Sequence, residues 1–205
     1  MADLNKALAQ IQAIRGQVAR GSEFRGYGAE TVAATGVLAM AAALLQTVAV
    51  KNPAANMVGY LALWVSTAAM AVLVTGFQTI TRTRRVHSGL ARQMIFSAAE
   101  SFWPAIAAGV LVTVALLRSG APELRLLPGL WQIFYGLGIF ASCRFLPRQM
   151  CAVGLWFLAT GGLCLATGTG EHALSAWEMG FPFGIGQLLL AAVLKFGHWE
   201  ADEDA

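Results

Sequence analysis

Four ionisable side chains, Glu30, Glu100, Arg144 and Glu178, stand inside or at the margins of long apolar runs. A charge at the centre of a bilayer costs about 2.5–3.5 kcal/mol or more, so each of these positions is a candidate for ion or ligand binding. Glu178 has the most suggestive surroundings, because GFPFGIGQ follows it at Gly180 to Gln187. Proline removes a backbone donor and strains the preceding turn, and glycines permit a kink or a close approach. A broken helix presents dipole ends to ions or substrate. Glu178, Gly180, Pro182 and Gln187 therefore form the leading ligand- or ion-binding set. The accompanying expectation is a helix interrupted around Gly180 to Gly186, with Glu178 facing outer water. The plainer reading makes the glycines a packing surface and leaves Glu178 at the headgroup layer.

Glu100 and Arg144 form a second candidate set, as an ion pair near the inner face; two separately snorkelling side chains are the alternative. Glu30 falls in the first turn of an apolar run, where the helix dipole accepts a carboxylate, and a structural role suits it. His87, His172 and His198 lie in loops or at helix ends and cannot face one another across a bilayer interior. Cys143 and Cys151 flank a short turn, but two thiols without a histidine are a weak metal signal. No metal and no cofactor are expected. No nucleophile elbow, Walker loop, HExxH or dinucleotide fingerprint falls on a suitable element, so familiar enzyme chemistry has no support.

The elements that must position these groups follow from composition. The chain has 205 residues, 57% of them hydrophobic and 12% charged, with mean hydropathy +0.61. Soluble domains are roughly a quarter charged. Crossing a hydrocarbon core of about 30 Å takes about 20 continuous apolar residues as a helix, whereas barrel strands would alternate over about 10. The runs here are continuous, and backbone groups in lipid must pair within the span, so the expected class is all-α: a polytopic six-transmembrane-helix bundle. The formal charge of +3 does not point to nucleic acid, because the basic residues are divided among short loops and helix ends.

Orientation comes from Thr81 to Gln93, TRTRRVHSGLARQ, a loop with four arginines between two apolar runs. Cytoplasmic loops collect Lys and Arg, which places this loop inside. With six spans, eleven of the fourteen basic residues then fall inside, and only Lys51, Arg118 and Arg125 fall outside. Both termini are expected in the cytoplasm. Residues 1–28 form an N-terminal segment without the apolar core of a signal peptide. Within it, Leu4 to Arg20 reads as an amphipathic helix that either lies on anionic lipid or pairs with protein. The transmembrane domain covers 29–196 and an acidic tail 197–205.

The spans are expected near Ala29 to Val50, Ala54 to Ile80, Ser101 to Leu117, Leu126 to Phe145, Met150 to Thr167 and Ala173 to Phe196. The third carries Pro104, and a single helix from Leu90 to Leu117 would be about 42 Å long at 1.5 Å per residue. A division into an interfacial helix over Ser88 to Ala99 and a span starting near Ser101 is therefore expected, with Pro104 in its first turn. On the first span, Thr35, Ala39 and Ala43 make a small-residue face for close helix packing. Trp103, Trp131, Trp177 and Trp199 suit interfacial anchors, while Trp64 and Trp156 fall deeper, between helices.

These residues point to an inner-membrane protein, best read as a small oligomeric transporter or channel for an ion or small molecule. The alternative is a scaffold, accessory subunit or sensor. A lipid-modifying enzyme comes third. Expected partners are the bilayer, anionic lipid at the inner face, and a second copy or another membrane protein.

Overall fold

The computed structural model describes residues 28–85, 89–119, 123–143, 149–168 and 174–196; for 82–85 and 89–95 it describes the backbone alone. The described residues form helices and no strand. These are α1 (Ala29–Ala49), α2 (Met57–Arg85), α3 (Gly89–Ser119), α4 (Leu127–Ser142, entered by a 3-10 turn at Glu123–Leu126), α5 (Met150–Thr167) and α6 (Ala176–Phe196). Six helices are long and apolar enough to cross a membrane, which suggests a multi-pass membrane protein. The expected amphipathic helix, Arg144 and the acidic tail lie outside the described residues.

Helix ends follow local chemistry. Asn56 accepts the Gly59 N–H on its side-chain oxygen at 3.0 Å, an N-cap that starts α2 and sets the direction of Tyr60 one turn later. At α4, Pro128 occupies the first turn, where its missing N–H costs nothing.

α3 departs from expectation. It is a single helix of 31 residues that runs through Pro104, so there is no break near Ser101. Proline removes one hydrogen bond, the one to the Glu100 carbonyl, and neighbouring helices can hold a helix together across such a loss. α4 does so here. The Ser142 hydroxyl donates to the Ala98 carbonyl at 3.0 Å, and the Trp131 indole donates to Thr113 Oγ1 at 2.8 Å. Trp131, expected as an anchor, thus ties two helices together.

In the bundle α2 packs on α1, α1 on α6, α6 on α5, α5 on α4 and α4 on α3. Glycines set the two tightest pairs. A Cβ at Gly136 would lie 2.9 Å from the Gly154 carbonyl oxygen, and one at Gly161 would lie 2.7 Å from that of Gly129. The antiparallel α4 and α5 therefore meet backbone to backbone at two levels, one heptad apart on each helix. The α1–α6 contact is similar, since a Cβ at Gly36 would lie 2.9 Å from the Gly184 carbonyl oxygen. Thr35, Ala39 and Ala43 are all buried, as the small-residue face requires. The outer helices look different: buried residues make up 11% of the apolar stretch of α2 and none of that of α3.

Candidate functional site

α6 is continuous from Ala176 to Phe196 with Pro182 inside it, so the expected interruption at Gly180 to Gly186 is corrected. The local chemistry explains how. Pro182 has no N–H to give to the carbonyl four residues earlier, which is that of Glu178. The side chain of Gln132, from α4, supplies the missing donor: its Nε2 bonds to the Glu178 carbonyl at 2.8 Å. The glycines of the motif are spent on packing. A Cβ on Gly180 would lie 2.5 Å from that of Ala43, and one on Gly186 would lie 2.4 Å from the Phe157 ring.

This repair fixes more than the helix. With Nε2 of Gln132 turned to the freed carbonyl, Oε1 must point the other way. That oxygen is buried and, among the described residues, has no hydrogen-bond partner. One more buried side-chain atom shares this condition, the hydroxyl of Tyr60 on α2. Tyr60 and Gln132 are both 0% exposed. Tyr60 packs in one apolar cluster with Leu174, Ala176 and Met179 at the start of α6, and the Cys164 thiol of α5 donates to Glu178 Oε2 at 3.6 Å. Four helices thus deliver a phenol, an amide oxygen, a thiol and a carboxylate to the end of the bundle remote from residues 81–93.

Neighbouring contacts hold the cluster in place. Gln46 is buried on α1; its Oε1 accepts the Trp64 indole N–H at 2.7 Å, and its Nε2 donates to the Leu174 carbonyl at 2.8 Å. α1, α2 and the start of α6 are thereby locked together beside Tyr60. The Trp156 indole donates to the Pro182 carbonyl at 3.0 Å, joining α5 to α6. Trp64 and Trp156 are both inter-helix residues, as their depth in the sequence implies.

Gln187 lies deeper along α6 and donates to the Tyr135 hydroxyl at 2.7 Å. The Tyr135 ring sits edge-on to Phe102, Phe157 and Phe183, with centroids 5.4, 4.7 and 5.5 Å away. Of the expected leading set, Glu178 and Pro182 thus belong to the polar cluster, Gln187 to a second polar step, and Gly180 to the packing surface. Glu100 is exposed on α3, and its expected partner Arg144 lies outside the described residues, so their pairing does too. No group of three or more His, Cys, Asp or Glu suited to a metal ion occurs among the described residues.

An open cleft of about 400 Å³ lies between α1 and α2 at the opposite end, lined by Thr31, Leu73, Val74, Phe77, Gln78 and Thr81. Its walls are mostly apolar. It has no carboxylate or thiol. Comparison with protein-family models, curated proteins and solved structures found no match to the chain.

Proposed function

We propose that the chain is a multi-pass inner-membrane protein with cytoplasmic termini that works as a small transporter or channel, engaging an ion or small polar molecule at Glu178. The observation that carries this reading is the meeting of polar side chains from α4 and α5 with Glu178 at the start of α6, at the same end of the bundle as two buried polar atoms that bond to nothing among the described residues. Polar groups within a membrane are costly, and atoms that bond to no neighbouring helix contribute nothing to holding a bundle together. Tyr135 and Gln187 supply a second polar step along the seam between α4 and α6. The aromatic cluster around Tyr135 fills that seam, so passage requires Phe102 or Phe183 to change rotamer. Anionic lipid suits the arginine-rich segment at the other end. The bare apolar faces of α2 and α3 suit lipid or a second copy.

The closed aromatic seam favours one competing reading, a scaffold or accessory subunit that moves nothing. Flux into proteoliposomes separates the two. A panel of small cations and neutral polar solutes should include at least one that the wild type passes. Glu178→Gln should reduce that flux at least tenfold, while Val58→Leu, on the exposed face of α2, leaves it unchanged. A well-folded wild type that passes no member of the panel would favour the scaffold.

A further inference from the structure

We propose that Tyr60, Gln132 and Glu178 together bind a small monovalent cation, an alkali ion or ammonium, at the junction of α2, α4 and α6. The proposal rests on reading the Glu178 cluster as the ligand site, and it adds the class of ligand and the residues that hold it.

The argument begins with the orphaned atoms. A buried polar group without a partner costs about 1–3 kcal/mol, and such groups are rare in native structures, so two of them at the Glu178 end of the bundle call for a common explanation. Gln132 Oε1 can only accept. Its amide cannot flip to relieve this, because Nε2 is held by the carbonyl that Pro182 leaves free. The Tyr60 oxygen can accept as well as donate, and Glu178 offers carboxylate oxygens. The set is thus rich in hard oxygen acceptors, which suit alkali ions or an ammonium that donates hydrogen bonds.

Charge then sets the valence. The cluster holds one carboxylate, a neutral amide, a phenol, and a thiol that donates its proton to Glu178 Oε2. Glu178 is half-buried; a monovalent cation neutralises its one carboxylate, whereas a divalent ion would leave an uncompensated charge beside the fully buried Tyr60 and Gln132. Calcium and magnesium sites normally recruit additional carboxylates or waters. An anion would meet the carboxylate head-on. Burial sets the size class: with Tyr60 and Gln132 both 0% exposed, the ligand of the proposal is a bare or singly hydrated ion and not a large organic cation.

The test uses the purified full chain in nanodiscs. N-methylglucammonium chloride is replaced stepwise by sodium, potassium or ammonium chloride at constant ionic strength, with the thermal midpoint and tryptophan fluorescence as readouts. At least one of the three should give a saturable stabilisation, since a ligand that binds only the folded state raises stability with its concentration. Tyr60→Phe should weaken the apparent affinity at least tenfold, yet be no less stable than wild type in N-methylglucammonium, because the lost hydroxyl has no partner there. Glu178→Gln should abolish the cation response, and Val58→Leu should keep it. No saturable response in the wild type would overturn the proposal and make water the occupant; an undiminished response in both Tyr60→Phe and Glu178→Gln would overturn it equally. Binding without flux would leave this inference standing and defeat the transport reading. Flux of a neutral solute without cation binding would do the reverse.

Discussion

If Gln132 replaces the hydrogen bond that Pro182 deletes, the two residues must be energetically coupled. Gln132→Leu removes the donor at 2.8 Å from the Glu178 carbonyl and strands that acceptor in the interior, at a cost of about 1–3 kcal/mol. Pro182→Ala returns a backbone N–H to the same carbonyl, so in that background the loss of Gln132 should cost much less. Inter-helix side-chain hydrogen bonds in membranes average about 0.6 kcal/mol and reach about 1.7, which sets the expected coupling near 1 kcal/mol. Relief of the unpartnered Oε1 of Gln132 occurs in both backgrounds and cancels in the cycle. The assay is reversible unfolding of wild type, both single variants and the double variant in mixed micelles of increasing dodecyl sulfate content. Additivity within about 0.3–0.5 kcal/mol would refute the reasoning, because independent sites behave in that way.

Three further outcomes follow from packing and topology. Ala43→Leu should destabilise by about 1–3 kcal/mol through overpacking, whereas Val37→Leu should be nearly neutral; thermal melts of the two decide, since Ala43 is 0% exposed and Val37 64%. Adjacent glycines of α5 should respond with opposite signs. Gly162→Ala, with nothing within 4 Å of the added carbon, should gain up to about 1 kcal/mol from helix propensity, while Gly161→Ala meets the Gly129 carbonyl and should lose stability in the same melts. For topology, cysteines introduced singly at Ser88 and Gly120 in a background without native cysteines should divide, with only Gly120→Cys labelled by an impermeant reagent in intact cells; labelling of Ser88→Cys would reverse the orientation.

The helices were legible because apolar length is a local property. Met150 to Thr167 is bounded in the sequence by a Pro-Arg-Gln turn and by Gly168, and α5 occupies those residues. The small face of α1 was legible too, since spacing by four places Thr35, Ala39 and Ala43 on one side. Both prolines misled for the same physical reason. The sequence shows the donor that a proline removes but not what a neighbouring helix supplies: Gln132 replaces the bond at Pro182, and Ser142 and Trp131 bind α3 on either side of Pro104. The packing role of the α5 glycines has a signal in the sequence, the seven-residue spacing of Gly154 and Gly161 matching that of Gly129 and Gly136 on the antiparallel neighbour.

The site was half legible. Glu178 stands out as a charge at the start of an apolar run, and Pro182 as an irregularity beside it. Tyr60, Gln132 and Cys164 arrive from three other helices, and no spacing along the chain brings them to Glu178. Only the order of helices in the bundle does that.

The most direct measurement is the anomalous scattering of thallium(I), a heavy monovalent cation, soaked into crystals of the full chain. The account predicts one anomalous peak bounded by the Tyr60 hydroxyl, Gln132 Oε1 and the Glu178 carboxylate, lost in Glu178→Gln crystals. A water bridging Tyr60 and Gln132 with no anomalous signal, or a direct bond between the two side chains, would contradict it.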